Sequence, residues 1–145
     1  MLNDYNVKAV NDAYKNAHIA MQSISDLLPE VKDESIKKEL EEEFKGYETH
    51  INDISAFMKG NKIEPQDINA FKKAIMKGSI KMKTLFNDSK NQIADMMLKG
   101  TVMGISELMQ LLSRDKGDLS EATKERTQKL IDLEESYEKN LKTFL

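Results

Sequence analysis

The sequence predicts an all-α fold: a single domain over residues 1–145, a four-helix bundle of two antiparallel hairpins joined by a long connection that carries a helix of its own. Three observations predict it. Apolar residues recur at spacings of three and four almost everywhere, which is the period of a helix and not the alternation of a strand. With 145 residues, 39% of them hydrophobic and 32% charged, the chain can bury one ordinary core and reads as a soluble helical protein. The periodic stretches are separated first by a short turn and then by a long segment, as in hairpins linked by a crossover.

The first helix is predicted over residues 4–28, with Val7, Val10, Tyr14, Ala17, Met21, Ile24 and Leu28 on one face. Asp4 is its expected cap and Pro29 its stop. A second helix, over 33–59, follows the Asp33 cap through Leu40, Phe44, Tyr47, Ile51, Ile54 and Met58 and ends at Gly60-Asn61. Pro65 suits the start of a third stretch, 66–86, marked by Ile68, Phe71, Ile75, Met82 and Leu85 and weakened by Gly78. Asn87-Asp88-Ser89 caps the next, 89–114, whose apolar residues Ile93, Met97, Leu98, Val102, Ile105, Leu108, Leu111 and Leu112 wrap around much of its circumference. That helix is expected to be the most buried, with Gly100 and Gly104 allowing a neighbour to approach closely. After the loop RDKGDLS, Ser120 and Thr123 start a last helix over 120–144 with Leu130, Leu133, Tyr137, Leu141 and Phe144 inward.

Composition excludes several kinds of chemistry. Without cysteine the chain has no disulfide, thiolate metal site or cysteine nucleophile, so any metal must be held by His and carboxylates. No apolar run is long enough to span a bilayer, and MLNDYNVKAV has no signal-peptide pattern, so a cytoplasmic protein is expected. There is no glycine-rich phosphate loop and no G-x-S-x-G, and the chain has two histidines. No catalytic or cofactor-binding residues are assigned, and the expectation is a protein that is not an enzyme.

Hairpin, long connection, hairpin is the up-down-down-up arrangement of ferritin-like folds. The stretches LEEEFKGYETHINDI (40–54) and MGISELMQLL (103–112), with the helix spacing and crossover, resemble small bacterial ferritin-like four-helix-bundle proteins, a domain-of-unknown-function family. The resemblance covers most of the chain. It implies a ferritin-like four-helix bundle and directs attention to a metal centre.

A ferritin-like di-iron centre takes one Glu from each of two helices and Glu-x-x-His from each of the other two. Three residues advance about 300° around a helix, so such a Glu and His face one metal. The resemblance carries over His50 on the second helix, Glu107 on the fourth predicted stretch and Glu134 on the last. Tyr47 and Tyr137 stand where the paired ligands are expected, and His18 is nearest on the first helix; these three are departures from the ligand pattern. Glu107, beside Gly104, Leu108 and Leu111, is expected to point inward, whereas the run Glu39, Glu41, Glu42, Glu43 is expected at the surface. Two readings follow. His50, Glu107 and Glu134 hold one Fe, Mn or Zn ion, or the same groups join Tyr47, Tyr137 and His18 in an interior polar cluster in which tyrosines, not metal, satisfy the carboxylate.

Charge is uneven. Residues 61–90 carry 3 acidic and 7 basic residues, against 12 and 7 in residues 1–60 and 10 and 8 in residues 91–145. Lys72, Lys73, Lys77, Lys81 and Lys83 accompany the apolar stripe of the connection, which either covers the bundle or meets an acidic partner or anionic membrane surface. An acidic chain with two arginines disfavours nucleic acid. The expected function is that of a non-catalytic bundle acting through protein–protein contacts, as a homodimer or with another protein; the alternative is a degenerate metal-binding relative that handles metal or oxidative stress.

Overall fold

The computed structural model describes residues 2–65 and 89–145. Among these residues there are four long helices: α1 (Asp4–Leu27), α2 (Glu34–Gly60), α3 (Lys90–Ser113) and α4 (Glu121–Lys142). There is no strand among the described residues. The predicted helix over 66–86, with its five lysines, lies outside them.

Each helix begins on a side-chain cap, because its first amide groups have no partner within the helix. Asp33 accepts from the Ser35 and Ile36 amides, Ser89 from Gln92 and Ser120 from Thr123. In α1 the cap is Asn3, one residue before the expected Asp4; its side chain accepts from the Asn6 amide, and Asp4 takes the first turn. Such caps each contribute about 1 kcal/mol. At the other end of α1 the chain tightens into a 3₁₀ turn, Leu28–Glu30, which contains Pro29, and Val31 N–H closes on Leu28 O at 3.2 Å. The α3–α4 turn is held by Asp115, whose carboxylate accepts from the Gly117, Asp118 and Leu119 amides, with Gly117 at φ 94°.

Cross-helix bonds fix how the helices lie. The Asn6 side chain reaches the start of α4, donating to Asp118 O at 2.7 Å and accepting from Ser120 N at 2.7 Å. The starts of α1 and α4 are therefore side by side. Along α2 and α4 the order is reversed: Glu39 meets Asn140, Glu43 meets Tyr137, Tyr47 meets Glu134, and Asp53 meets Arg126. The core between them is built from fully buried Ile24, Ile36, Leu40, Ile54, Ile93, Leu108, Leu130, Ile131 and Leu141.

Helix α3 departs from expectation. Its buried side is the single stripe Ile93, Ala94, Met97, Thr101, Ile105 and Leu108. Val102, Met103 and Met109 are 45%, 66% and 51% exposed. Apolar residues do run around this helix, but among the described elements it packs mainly against α1 and α4, and the side between them is the buried one. The paired glycines also divide: Gly104 faces a crowded interior, and a Cβ added at Gly100 would meet nothing within 4 Å.

Leu130→Ala or Met97→Ala should destabilise the fold by about 2–5 kcal/mol, as truncations of buried side chains do, since these residues are 0% and 8% exposed. Glu125→Ala, on the exposed side of α4, should change it by less than about 0.5 kcal/mol. Urea denaturation of the three variants checks the assignment, and equal losses would refute it.

Candidate functional site

The apolar stripe of α2 steps through Ile36, Leu40, Tyr47, Ile51, Ile54 and Met58, and the helical period places Glu43 in the gap between Leu40 and Tyr47. The stripe of α4 does the same with Glu134 between Leu130 and Tyr137. Both carboxyl groups are therefore carried into the core by helix geometry, and both residues are 1% exposed. They lie in one layer with two tyrosines. Tyr47 donates to Glu134 Oε2 at 2.9 Å, Tyr137 donates to the main-chain carbonyl of Glu43 at 3.4 Å, and the two rings are tilted at 60° with centroids 5.3 Å apart.

Two glycines make room for this layer. A Cβ on Gly46 would stand 1.8 Å from the Tyr137 hydroxyl, so the tyrosine fills the space beside a residue without a side chain. A Cβ on Gly104 would stand 2.9 and 3.1 Å from the Glu134 oxygens and 3.3 Å from Asn16 Nδ2. Asn16 is the contribution of α1; it donates to Gly104 O at 3.1 Å. All four helices thus meet at one level. Four oxygens there have no hydrogen-bond partner of good geometry: both of Glu43, Glu134 Oε1 and Asn16 Oδ1.

Burial decides the charge state. It pushes Glu43 up to about 10, and the neighbouring Glu39 carboxyl raises it further towards that value. Glu134 is pushed up to about 8, again by burial first; the Tyr47 hydrogen bond opposes the rise and the negative charge of Glu107 adds to it. At neutral pH both groups hold their protons, which spares the core two unpaired charges. Burial likewise raises Tyr47 well above its ordinary value and shifts Tyr137 upward, so both remain phenols. The layer can hold protons and exchange hydrogen bonds.

The residues expected at a site are partly dispersed. Tyr47, Tyr137 and Glu134 come together. His50 is half-buried one turn further along α2, where burial lowers its pKa and the charges of Lys129 and Arg126 add to that shift, while Asp53 and a hydrogen bond with the Arg126 main chain oppose it. Arg126 there lies 4.1 Å above the Phe57 ring and 3.3 Å from Asp53. Glu107 is exposed, which corrects its expected inward position: it stands on the side of α3 turned away from the other described helices, close enough to Glu134 to be felt only through charge. His18 packs edge-on against Tyr14 at 4.5 Å. Glu43, expected at the surface with its acidic neighbours, is the converse correction. Among the described residues no three His, Asp or Glu side chains converge on a metal position.

Comparison with known proteins finds no matching family model, no matching characterised protein and no matching solved structure.

Gly46→Ala should destabilise the protein by about 1–3 kcal/mol through overpacking against Tyr137, although glycine to alanine inside an open helix gains about 1 kcal/mol. Combining it with Tyr137→Phe should recover part of the loss. A double-mutant cycle by urea denaturation reads that coupling, and simple additivity would disprove the contact.

A second expectation concerns pH. Glu43 and Glu134 bind their protons more tightly folded than unfolded, so their contribution is fully present below the ordinary value of 4.5 and is lost as pH rises from there through about 8 and about 10. Stability should fall across that window, and Glu43→Gln or Glu134→Gln should each remove up to about 1.4 kcal/mol per pH unit of the slope. Melts of the variants and the parent at pH 5, 6.5 and 8 provide the measurement; parallel profiles would show that the two groups are ionised.

Proposed function

We propose that this chain is a non-catalytic ferritin-like helical bundle that acts through protein–protein contacts, its interior layer being a structural element of the core. The observation that carries this reading is the outer side of α3, where Val102, Met103 and Met109 face solvent within about two turns of helix. Isolated exposed apolar residues are ordinary, but several of them on the side of a helix turned away from the other described helices are what a contact surface offers.

The helix directions support the ferritin-like part of the proposal. The starts of α1 and α4 adjoin, α2 runs opposite to α4, and short turns join α1 to α2 and α3 to α4. Those directions agree with the up-down-down-up order of the proposed fold.

The interior does not fit a di-metal centre. The two positions suited to Glu-x-x-His on facing helices carry Glu43-x-x-Gly46 and Glu134-x-x-Tyr137, and the Tyr137 hydroxyl occupies the space next to Gly46. Asn16 and Gly104 stand where the other two helices would each have to supply a carboxylate.

Thermal melts with and without a chelator, and after addition of Fe(II), Mn(II) or Zn(II), should superimpose. A metal held selectively by the native state at a hundred times its dissociation constant would add about 2.7 kcal/mol. A gain of that size that vanishes in the Glu43→Gln, Glu134→Gln double variant would overturn the proposal in favour of a metal-handling protein.

A further inference from the structure

We infer that Met103 and Met109 are sites of reversible oxidation by peroxides, a modification that the fold accepts without loss of structure. The reaction is independent of the contact-surface reading and needs only that a small oxidant reach the chain. With nine methionines and no cysteine, the chain has no thiolate to compete for a two-electron oxidant, and the thioethers are its oxidisable sulfurs. Among the described residues these fall into three groups. Met58 and Met97 belong to the core and are 3% and 8% exposed. Met21 and Met96 are half-buried and pack against it. Met103 and Met109 are 66% and 51% exposed, on turns of α3 whose buried side is formed by Thr101, Ile105 and Leu108 instead.

That division decides which sulfurs react. Oxygen transfer begins when a sulfur lone pair attacks one oxygen of the peroxide. The S–O bond forms as the O–O bond breaks, the sulfur gives up two electrons, and the displaced hydroxide takes the remaining proton and leaves as water. The step needs an open approach to the sulfur and water around the departing hydroxide, since developing charge is costly in an apolar surrounding. Met103 and Met109 have both. Met58 and Met97, enclosed in the core cluster, have neither.

The product is a sulfoxide, which turns an apolar tip into a polar one. In the core it would be a buried acceptor without a donor and would destabilise the fold. On the outer side of α3 water solvates it, so the helix and its buried stripe are left as they were. A dithiol-dependent sulfoxide reductase reverses the change, the oxygen leaving as water while two thiols join as a disulfide. The exposure that admits the oxidant also leaves the sulfoxide open to that enzyme.

Timed treatment of the whole chain with hydrogen peroxide at neutral pH, followed by peptide mapping in a mass spectrometer, provides the test. Met103 and Met109 should be oxidised roughly tenfold or more faster than Met58 and Met97, with Met21 and Met96 in between. The same treatment in urea should level the rates. The double variant Met103→Leu, Met109→Leu should keep the parent's helical circular dichroism and lose the fast oxidation. Treated alike, it is also the control for the remaining methionines: the melts of oxidised parent and oxidised variant should coincide. Methionine sulfoxide reductases of both stereospecificities, supplied with dithiothreitol, should return Met103 and Met109 to thioethers. Equal rates at exposed and buried positions in the folded chain overturn the inference. So does a fall in melting temperature seen in the oxidised parent and not in the oxidised variant, or sulfoxide at these two positions that the reductases leave untouched.

Discussion

Two carboxylic acids lie at a level of the bundle from which water is excluded, and the surroundings of that level follow from keeping them uncharged. An ionised carboxylate at either position would need a cation or several amide donors. The helices supply a phenol, a glycine and an asparagine instead. Tyr47 meets Glu134 through a neutral hydroxyl, and Gly104 lets the same carboxyl approach the backbone of α3. Once Glu43 and Glu134 are acids and not anions, the oxygens that lack partners cost far less than buried charges would. Removal of the constraint would leave no evident reason for a bare helix position at Gly46 facing a tyrosine.

The layer also ties local chemistry to overall shape. Tyr137 can reach α2 only because Gly46 has no side chain, and Asn16 can bond to α3 only because Gly104 has none. These contacts set how closely neighbouring helices approach at mid-bundle, while the aliphatic residues on either side fill the remaining volume. The interior is thus specified by polar groups with definite partners as well as by apolar packing, which by itself tolerates exchange of one aliphatic residue for another.

Much of this was legible in the sequence because it depends on neighbours along the chain. Helix spans follow from three-four spacing, and the caps at Asp33, Ser89 and Ser120 from short-range amide chemistry. Tyr47 and Tyr137 are buried, as their places in apolar stripes imply. Glu43 was missed because the acidic run around it suggests a solvated face, although its position four after Glu39 and four before Tyr47 puts it on the stripe of the latter. Asn16 gives no such signal, being one of several asparagines on α1. The exposure of α3 and the outward position of Glu107 depend on which sides of a helix acquire neighbours, a property of assembly that periodicity does not encode. Single-residue shifts, such as Asn3 in place of Asp4 at the first cap, lie within the ambiguity of helix ends.

The bond between Asn6 and the start of α4 has a bearing on when the protein can become complete. Asn6 uses its amide fully, with Asn3 and Asp118 accepting and Ser120 donating, and its partners at the start of α4 are made more than a hundred residues later. At a synthesis rate of roughly 5–20 residues per second, α1 waits about 6–20 s for them to be translated. The hairpin of α1 and α2 can form in that interval, but the Asn6 side chain has no partners on α4 until then. The fastening of α1 to the start of α4 is therefore a late step in the folding of the bundle, taken after its first hairpin.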